Sequence, residues 1–249
     1  MAHFAAWPDD DPEEFRVRRP ARRASSSAWS LRILTTCLLV AGLLAMGDFM
    51  LSWSDAFGGA GGRSTDPTPV SIMVGEQRLT IPANMLRFAN QRTPEPQERV
   101  ELAVHWPSLE GYAPALREAF LDGSADAPVL FLSIRARETA TDSAGRLASV
   151  YRHFLDDTAL DAPPGLVGRK LTQDSGLAGE EVFFEAGSTD PFTAHCLAAD
   201  ADVPAICLTE VHAGRSLSVQ VRFRKGLLAD WADIKSATRL MLLRFGVTA

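Results

Sequence analysis

Hydrophobic positions fall into two regimes along this chain. Across 29–53 they form one nearly unbroken block, whose uncharged core runs over 33–47. Beyond Val70 they come as short runs interrupted by glycine, proline and charge. The first block predicts a transmembrane helix. Its 25 positions would rise about 37 Å at 1.5 Å per residue, enough to cross a hydrocarbon core of about 30 Å with some tilt. Arg32 and Asp48 sit where each charge can snorkel to a headgroup boundary, and Trp29 and Trp53 fall just outside them, where indole rings favour the interface.

From residue 70 the period shortens to two. Residues 70–74 and 77–81 flank Gly75-Glu76 as a hairpin, with glycine where a positive φ is needed. A short helix is expected over 82–90, with Met85, Leu86 and Phe88 as its apolar side. Val100, Leu102 and Val104 alternate with Glu101, Ala103 and His105, predicting a half-buried strand over 98–106. A short helix over 116–121 follows Pro114, and the continuous apolar run 129–134 suits a central strand. Asp142 can cap a helix through about Leu155, on which Leu147, Val150, Tyr151 and Phe154 recur at helical spacing.

Past Pro163-Pro164-Gly165, four or five strands are expected in succession, near 167–172, 180–185, 192–198, 205–212 and 217–224. Short turns between them imply an antiparallel meander. Leu227, Trp231, Ile234, Thr238, Met241 and Phe245 then recur at intervals of three and four, an amphipathic helix expected to cover one face of that sheet. The fold class predicted is α+β: a transmembrane helix, a Gly/Pro linker, and one mixed domain over 70–249 with a mainly antiparallel sheet packed by a few helices.

Charge supplies the orientation. Arg16, Arg18, Arg19, Arg22, Arg23 and Arg32 lead into the apolar block with no acid among them, and basic flanks are retained on the cytoplasmic side. Residues 1–28 are therefore expected as a disordered cytoplasmic tail. The predicted span covers 29–53, and 54–69 forms a flexible linker carrying Gly58-Gly59-Ala60-Gly61-Gly62 and two prolines. This places 70–249 in the periplasm of a bacterial inner-membrane protein that contacts membrane lipid through its single span. A cleaved secretory signal is the competing reading of the same block. From Arg63 onward there are 19 basic residues against 24 acidic ones, a formal charge of −5, which disfavours nucleic acid as a partner.

Cysteine usage narrows the chemistry. Cys37 lies in the expected span. Cys196 and Cys207 lie in two strands joined by a loop near 200–203, where hairpin partners sum to 403, so the two sulfurs would face each other in register. An oxidising compartment favours a disulfide. Free thiols are a second possibility, and a metal site of His195, Cys196, Cys207 and His212 is a third. Strand alternation opposes the metal, because His195 and Cys196 point to opposite faces, as do Cys207 and His212.

His105, Ser108 and Glu110, at the end of a strand, are the residue types of base, nucleophile and orienter. An aromatic plug with a polar loop is the competing interpretation. No G-x-S-x-G, H-E-x-x-H, S-x-x-K, Walker or calcium-loop pattern occurs. No metal or cofactor is expected.

The strings Ile81-Pro82-Ala83-Asn84-Met85-Leu86-Arg87-Phe88 and His105-Trp106-Pro107-Ser108-Leu109-Glu110-Gly111-Tyr112, behind a single N-terminal span, resemble a set of bacterial membrane-anchored proteins of unknown function. That resemblance implies no activity. The sequence therefore favours a non-catalytic envelope interaction or assembly protein with a protein partner. The alternatives are a periplasmic hydrolase built on His105 with Ser108 or Glu110, and a small-ligand sensor.

Overall fold

The computed structural model describes residues 32–34, 36–38, 42, 62–177, 179–199 and 204–247. The chain divides into two units, Met1–Ser52 and Trp53–Ala249. In the first, the described residues are helical. Among the described residues no helix is long and apolar enough to cross a membrane. Most of the expected span, including Trp29, Asp48 and Trp53, lies outside them, as do the expected tail and the loop at 200–203.

The second unit is built on two antiparallel sheets. Strands β1 (Pro69–Val74) and β2 (Gln77–Pro82) pair as a hairpin, turned by Gly75 at φ +57°. The larger sheet contains β3 (Arg99–His105), β4 (Val129–Ala136), β5 (Leu155–Leu160), β6 (Leu166–Leu171), β7 (Glu181–Glu185), β8 (Thr193–Leu197), β9 (Ile206–Ala213) and β10 (Leu217–Arg224). Its order is β3-β4-β10-β9-β8-β7-β6-β5, with every neighbouring pair antiparallel. The expected meander is present and longer than anticipated, running unbroken from β5 to β10. Helices α1 (Arg117–Leu121), α2 (Ser143–Ser149) and α3 (Trp231–Arg244) complete the domain.

Alternation sorts the sheet into two faces. Val100, Leu102 and Val104 on β3 lie beside Leu130, Leu132 and Ile134 on β4, and beside Val219, Val221 and Phe223 of β10, all but inaccessible to solvent. Ile234, Met241 and Leu242 of α3 join this inner face, together with Ile72, Val74, Leu79 and Ile81 of the hairpin, as one core. The Thr80 amide donates to the Phe245 carbonyl at 2.9 Å, and Trp106 Nε1 donates to Asp230 Oδ2 at 2.8 Å. These bonds tie both ends of the α3 segment to the rest. Gly168 faces Phe183 across β6 and β7, and a Cβ there would lie 2.7 Å from the ring, so glycine makes room for a buried phenylalanine.

Two elements differ from expectation. Residues 82–90 form no α-helix; only Ala89–Gln91 takes a 3-10 turn. The segment lies along the outer edge of β3 instead. Ala103 N–H donates to the Met85 carbonyl at 2.9 Å and Arg87 N–H to the Glu101 carbonyl at 2.8 Å. The buried Gln91 amide donates to the Arg99 carbonyl and accepts from the Glu101 N–H, both at 3.0 Å. Backbone groups that a helix would satisfy internally are thus satisfied by a strand edge, which is itself covered in exchange. The helix capped by Asp142 also stops at Ser149, short of Leu155. Its cap is as expected, with Asp142 Oδ1 accepting from the Gly145 N–H at 3.0 Å. Tyr151 and Phe154 leave the helix to pack with Leu147, Leu171 and Val182, and residues 155–160 become the edge strand β5. Its polar sequence Leu-Asp-Asp-Thr-Ala-Leu carries little strand signal.

Cys196 and Cys207 are joined by a disulfide, paired directly across β8 and β9 with Cα atoms 4.0 Å apart. Replacing both with alanine is expected to lower unfolding free energy by about 3 kcal/mol, as for a loop of this size. Denaturant titrations of oxidised wild type and the double variant test this; coincident midpoints would refute a stabilising role.

Candidate functional site

The sequence candidates are brought together in part. His105 ends β3, and its Nδ1 lies 2.9 Å from Ser108 Oγ. Ser108 Oγ also accepts from the Glu110 N–H at 3.4 Å, while the His105 N–H donates to the Glu110 carbonyl at 2.8 Å. The backbone therefore closes on itself as a tight turn, with Leu109 at φ +59°. Ser108 and Glu110 are exposed, and the Glu110 carboxylate makes no hydrogen bond or ion pair among the described residues. Base and nucleophile touch, but no orienting acid reaches the imidazole, and that third group is what a triad requires.

At the second candidate cluster the disulfide consumes both sulfurs, so the set His195, Cys196, Cys207 and His212 cannot bind a metal through thiolates. The histidines occupy the opposite face of the sheet from the cystine, as strand alternation requires. His195 Nε2 lies 4.0 Å from Glu180 Oε2. Burial, helped by the charge of Arg146, pushes the His195 imidazole below its ordinary value, while burial pushes the Glu180 carboxyl up. Both shifts favour neutral forms.

The outer face of the sheet carries what sequence reasoning missed. At one end α2 is fastened by Glu210, a carboxylate only 5% exposed. Glu210 accepts from Ser218 Oγ and from Arg146 at 2.6 Å, with Arg135 at 3.8 Å, and its backbone N–H donates to Ser143 Oγ at 2.9 Å. Burial alone would raise this acid, yet the bonds from Ser218 and Arg146 and the charges of Arg146 and Arg135 hold it below the ordinary carboxylate value. At the other end α1 closes the face, where Phe120 packs with Ala103 and Val129.

Between these two covers the sheet is open, and two hollows meet there. One, of about 320 Å³, is polar and is lined by Arg87, Phe88, Glu101, Ser133 and Gln220. The other, of about 270 Å³, is lined by Phe120, Ala127, Val129 and Ile206, with Asp122 and Arg224 beside them. Phe131 and Arg222 belong to both walls. The Phe131 ring has the Arg87 guanidinium 5.0 Å and the Arg222 guanidinium 4.9 Å from its centroid. Arg63 stands nearby, 5.1 Å from the Phe120 ring and 5.9 Å from Tyr112.

Local bonding explains how these side chains arrive. Arg222 projects from β10 opposite Phe131 of β4. Arg87 is carried in by the segment that covers β3, and Arg92 ties that segment down by donating to the Leu86, Ala83 and Gly62 carbonyls. The Gly62 bond also holds the chain next to Arg63. Burial, with the like charges of Arg222 and Arg63, lowers the Arg87 guanidinium from its usual value despite an opposing effect of Glu101. Glu101 is already engaged, by Arg99 at 3.0 Å and Ser133 at 2.9 Å. Arg63, Arg87 and Arg222 have no ion pair or side-chain hydrogen bond among the described residues, and the Nε of Arg63 is buried without a partner. In a domain of net negative charge, this is a local cluster of cations without direct ion pairs among the described residues, offset only in part by Glu101 and braced by aromatic rings. The available sequence signal was the run of polar residues at alternate positions of β10, Ser218, Gln220, Arg222 and Arg224, which marks the face turned away from the main core.

No protein-family model and no curated protein matches the chain. Among solved structures it is similar to an immunity protein of the Stenotrophomonas maltophilia type IV secretion system, with a TM-score of 0.49 and 16% identity, covering 74% of this chain and 95% of that one. It is also similar to the Neisseria meningitidis iron-regulated outer membrane lipoprotein FrpD, with a TM-score of 0.39 and 15% identity, covering 66% of this chain and 83% of that one. Likeness of this order leaves function to be read from the chain's own residues.

Two outcomes follow from these geometries. Glu210→Gln is expected to cost about 2 kcal/mol by leaving Arg146 without its buried counter-charge. Because the folded carboxyl titrates below its unfolded counterpart, its stabilisation is complete above the ordinary value of about 4.5 and disappears as pH falls through the lower folded value. The variant should lose that acid-side slope in stability measured against pH; an unchanged slope would show that Glu210 is not held low. Separately, a fluorophosphonate probe should leave Ser108 unmodified. Labelling that depends on His105 would instead identify an activated nucleophile.

Proposed function

We propose that the chain is a membrane-anchored, non-catalytic interaction protein of the bacterial envelope. Residues 1–28 lie in the cytoplasm, 29–53 cross the inner membrane as a single span in contact with lipid, 54–69 tether, and 70–249 work in the periplasm on a protein partner. One observation carries the interaction reading: the open sheet face between α1 and α2, where aromatic rings and arginines without ion pairs among the described residues are gathered. Arginine and aromatic side chains are the residues that dominate protein interfaces, and Arg87 and Arg222, offset only in part by Glu101, can take further acceptors from a partner. The disulfide suits an oxidising compartment. The arginine-rich N-terminal flank supports the orientation.

The contact between His105 and Ser108 gives the hydrolase reading its only support, and the exposed, unengaged Glu110 weakens it. The placement and the interaction are tested together in cells. Protease added to spheroplasts should remove the C-terminal domain while sparing the N-terminal tail. A photocrosslinking residue at position 88 or 220 should give a discrete adduct with another envelope protein, and one at exposed Leu243 should not. A protected C-terminal domain would overturn the topology, and absence of adducts from every surface position tested would overturn the interaction.

A further inference from the structure

We propose that the groove on the outer face docks an acidic segment of the partner protein, with its carboxylates on Arg87 and Arg222 and a neighbouring apolar side chain in the hollow beside Phe131. This rests on the interaction reading above and names the chemistry that the surface selects.

The choice of occupant follows from the walls. Guanidinium forks match carboxylates in plane and in donor spacing, so each arginine can form a two-point, charge-assisted contact that a neutral ligand cannot supply. Phe131 holds Arg87 and Arg222 from one aromatic plane, limiting the side-chain entropy each must lose on binding. Glu101, which shares the wall of the polar hollow, is engaged through Oε1 by Arg99 and Ser133, forms no ion pair with Arg87 or Arg222, and offsets the charge of Arg87 only in part. Arg63, set against Phe120 and Tyr112, adds positive charge close by.

Shape separates the candidates. A free inorganic anion would engage the polar hollow and leave the apolar one empty, although both share Phe131 and Arg222. An anionic bilayer offers a broad surface to a concave groove, on a domain whose formal charge from Arg63 onward is −5 and which is repelled at longer range. Nucleic acid meets the same repulsion. A polypeptide alone delivers negative and apolar groups at side-chain spacing. It cannot do so by adding a strand at β3, because residues 85–91 already pair with that edge. The segment therefore lies across the strands and is recognised through side chains.

The detergent-solubilised full-length chain, panned against a random peptide library, should enrich peptides that place Asp or Glu beside Leu or Phe. Arg87→Lys/Arg222→Lys keeps the charge but loses the forks and should weaken the selected peptides about tenfold; Arg87→Glu/Arg222→Glu should abolish them, and rising salt should weaken wild-type binding. A selected peptide carrying a photoreactive group, irradiated on the wild-type chain, should attach near Arg87, Phe131 or Arg222, which tests the site even if the charge-reversed chain does not fold. Enrichment without acidic residues, attachment elsewhere, or affinity unchanged in folded variants would overturn the proposal. So would displacement of the peptides by millimolar phosphate or by phosphatidylglycerol vesicles, which would assign the groove to a phosphoryl ligand. If peptide binding fails while cells still give partner adducts, the groove assignment falls and the interaction reading stands; adduct failure with intact peptide binding has the reverse meaning.

Discussion

Burial of one face of the eight-stranded sheet beneath α3 and the β1–β2 hairpin is the constraint from which the other features follow. Hydrophobic stabilisation scales with apolar area removed from water, and this inner face is where most of the fully buried aliphatic side chains are gathered. Because side chains alternate along a strand, fixing Leu130, Leu132 and Ile134 inward fixes Phe131, Ser133 and Arg135 outward. The same register sends Arg99 and Glu101 outward on β3, and Gln220 and Arg222 outward on β10. A slip by one residue would bury the charged set and expose the apolar one. The composition of the outer face is therefore a consequence of packing on the inner one.

That outer face is covered at both ends by different physics. Around α1 the cover is apolar, with Phe120 set edge-on to Tyr112 at 5.5 Å between centroids. At α2 it is partly ionic, since Glu210 collects Ser218 and Arg146 in a buried network with Arg135 close by. In the ionic cover every charge has a partner, Arg146 on Glu210 and Arg135 on both Glu210 and Glu138. Between the covers Arg63, Arg87 and Arg222 form no ion pair among the described residues, and the contrast gives the groove its meaning: the same fold pairs one set of arginines directly and leaves another offset only in part by Glu101.

Sheet edges are handled unequally. The β3 edge is occupied by residues 85–91, which use Met85 and Glu101 backbone groups and the Gln91 amide to close the ladder. This segment both protects the edge and delivers Arg87, so the protection of the fold and the construction of the groove are one structural act. The opposite edge, β5, is short, irregular in register and marked by Asp156 and Asp157, features that discourage pairing with another chain.

Much of the domain was legible before its structure. Period-two alternation and short apolar runs identified β1 to β4 and β6 to β10, the three-and-four spacing identified α3, and hairpin arithmetic paired Cys196 with Cys207. These features are set by contacts near in sequence or by a repeat that any stretch of chain displays. The segment at 82–90 and the strand β5 were not legible, because their backbone partners lie on other strands and local pattern cannot report a distant hydrogen-bond acceptor. His105 and Ser108 were found as residue types, but only the turn geometry decided that they touch while Glu110 does not engage them. Arg63, Arg87 and Arg222 are scattered over the chain, and each alone reads as an ordinary surface charge. By itself the sequence determined which residues could alternate, pair or cap; tertiary structure decided which charges share a space, since that depends on strand order and on what covers each face.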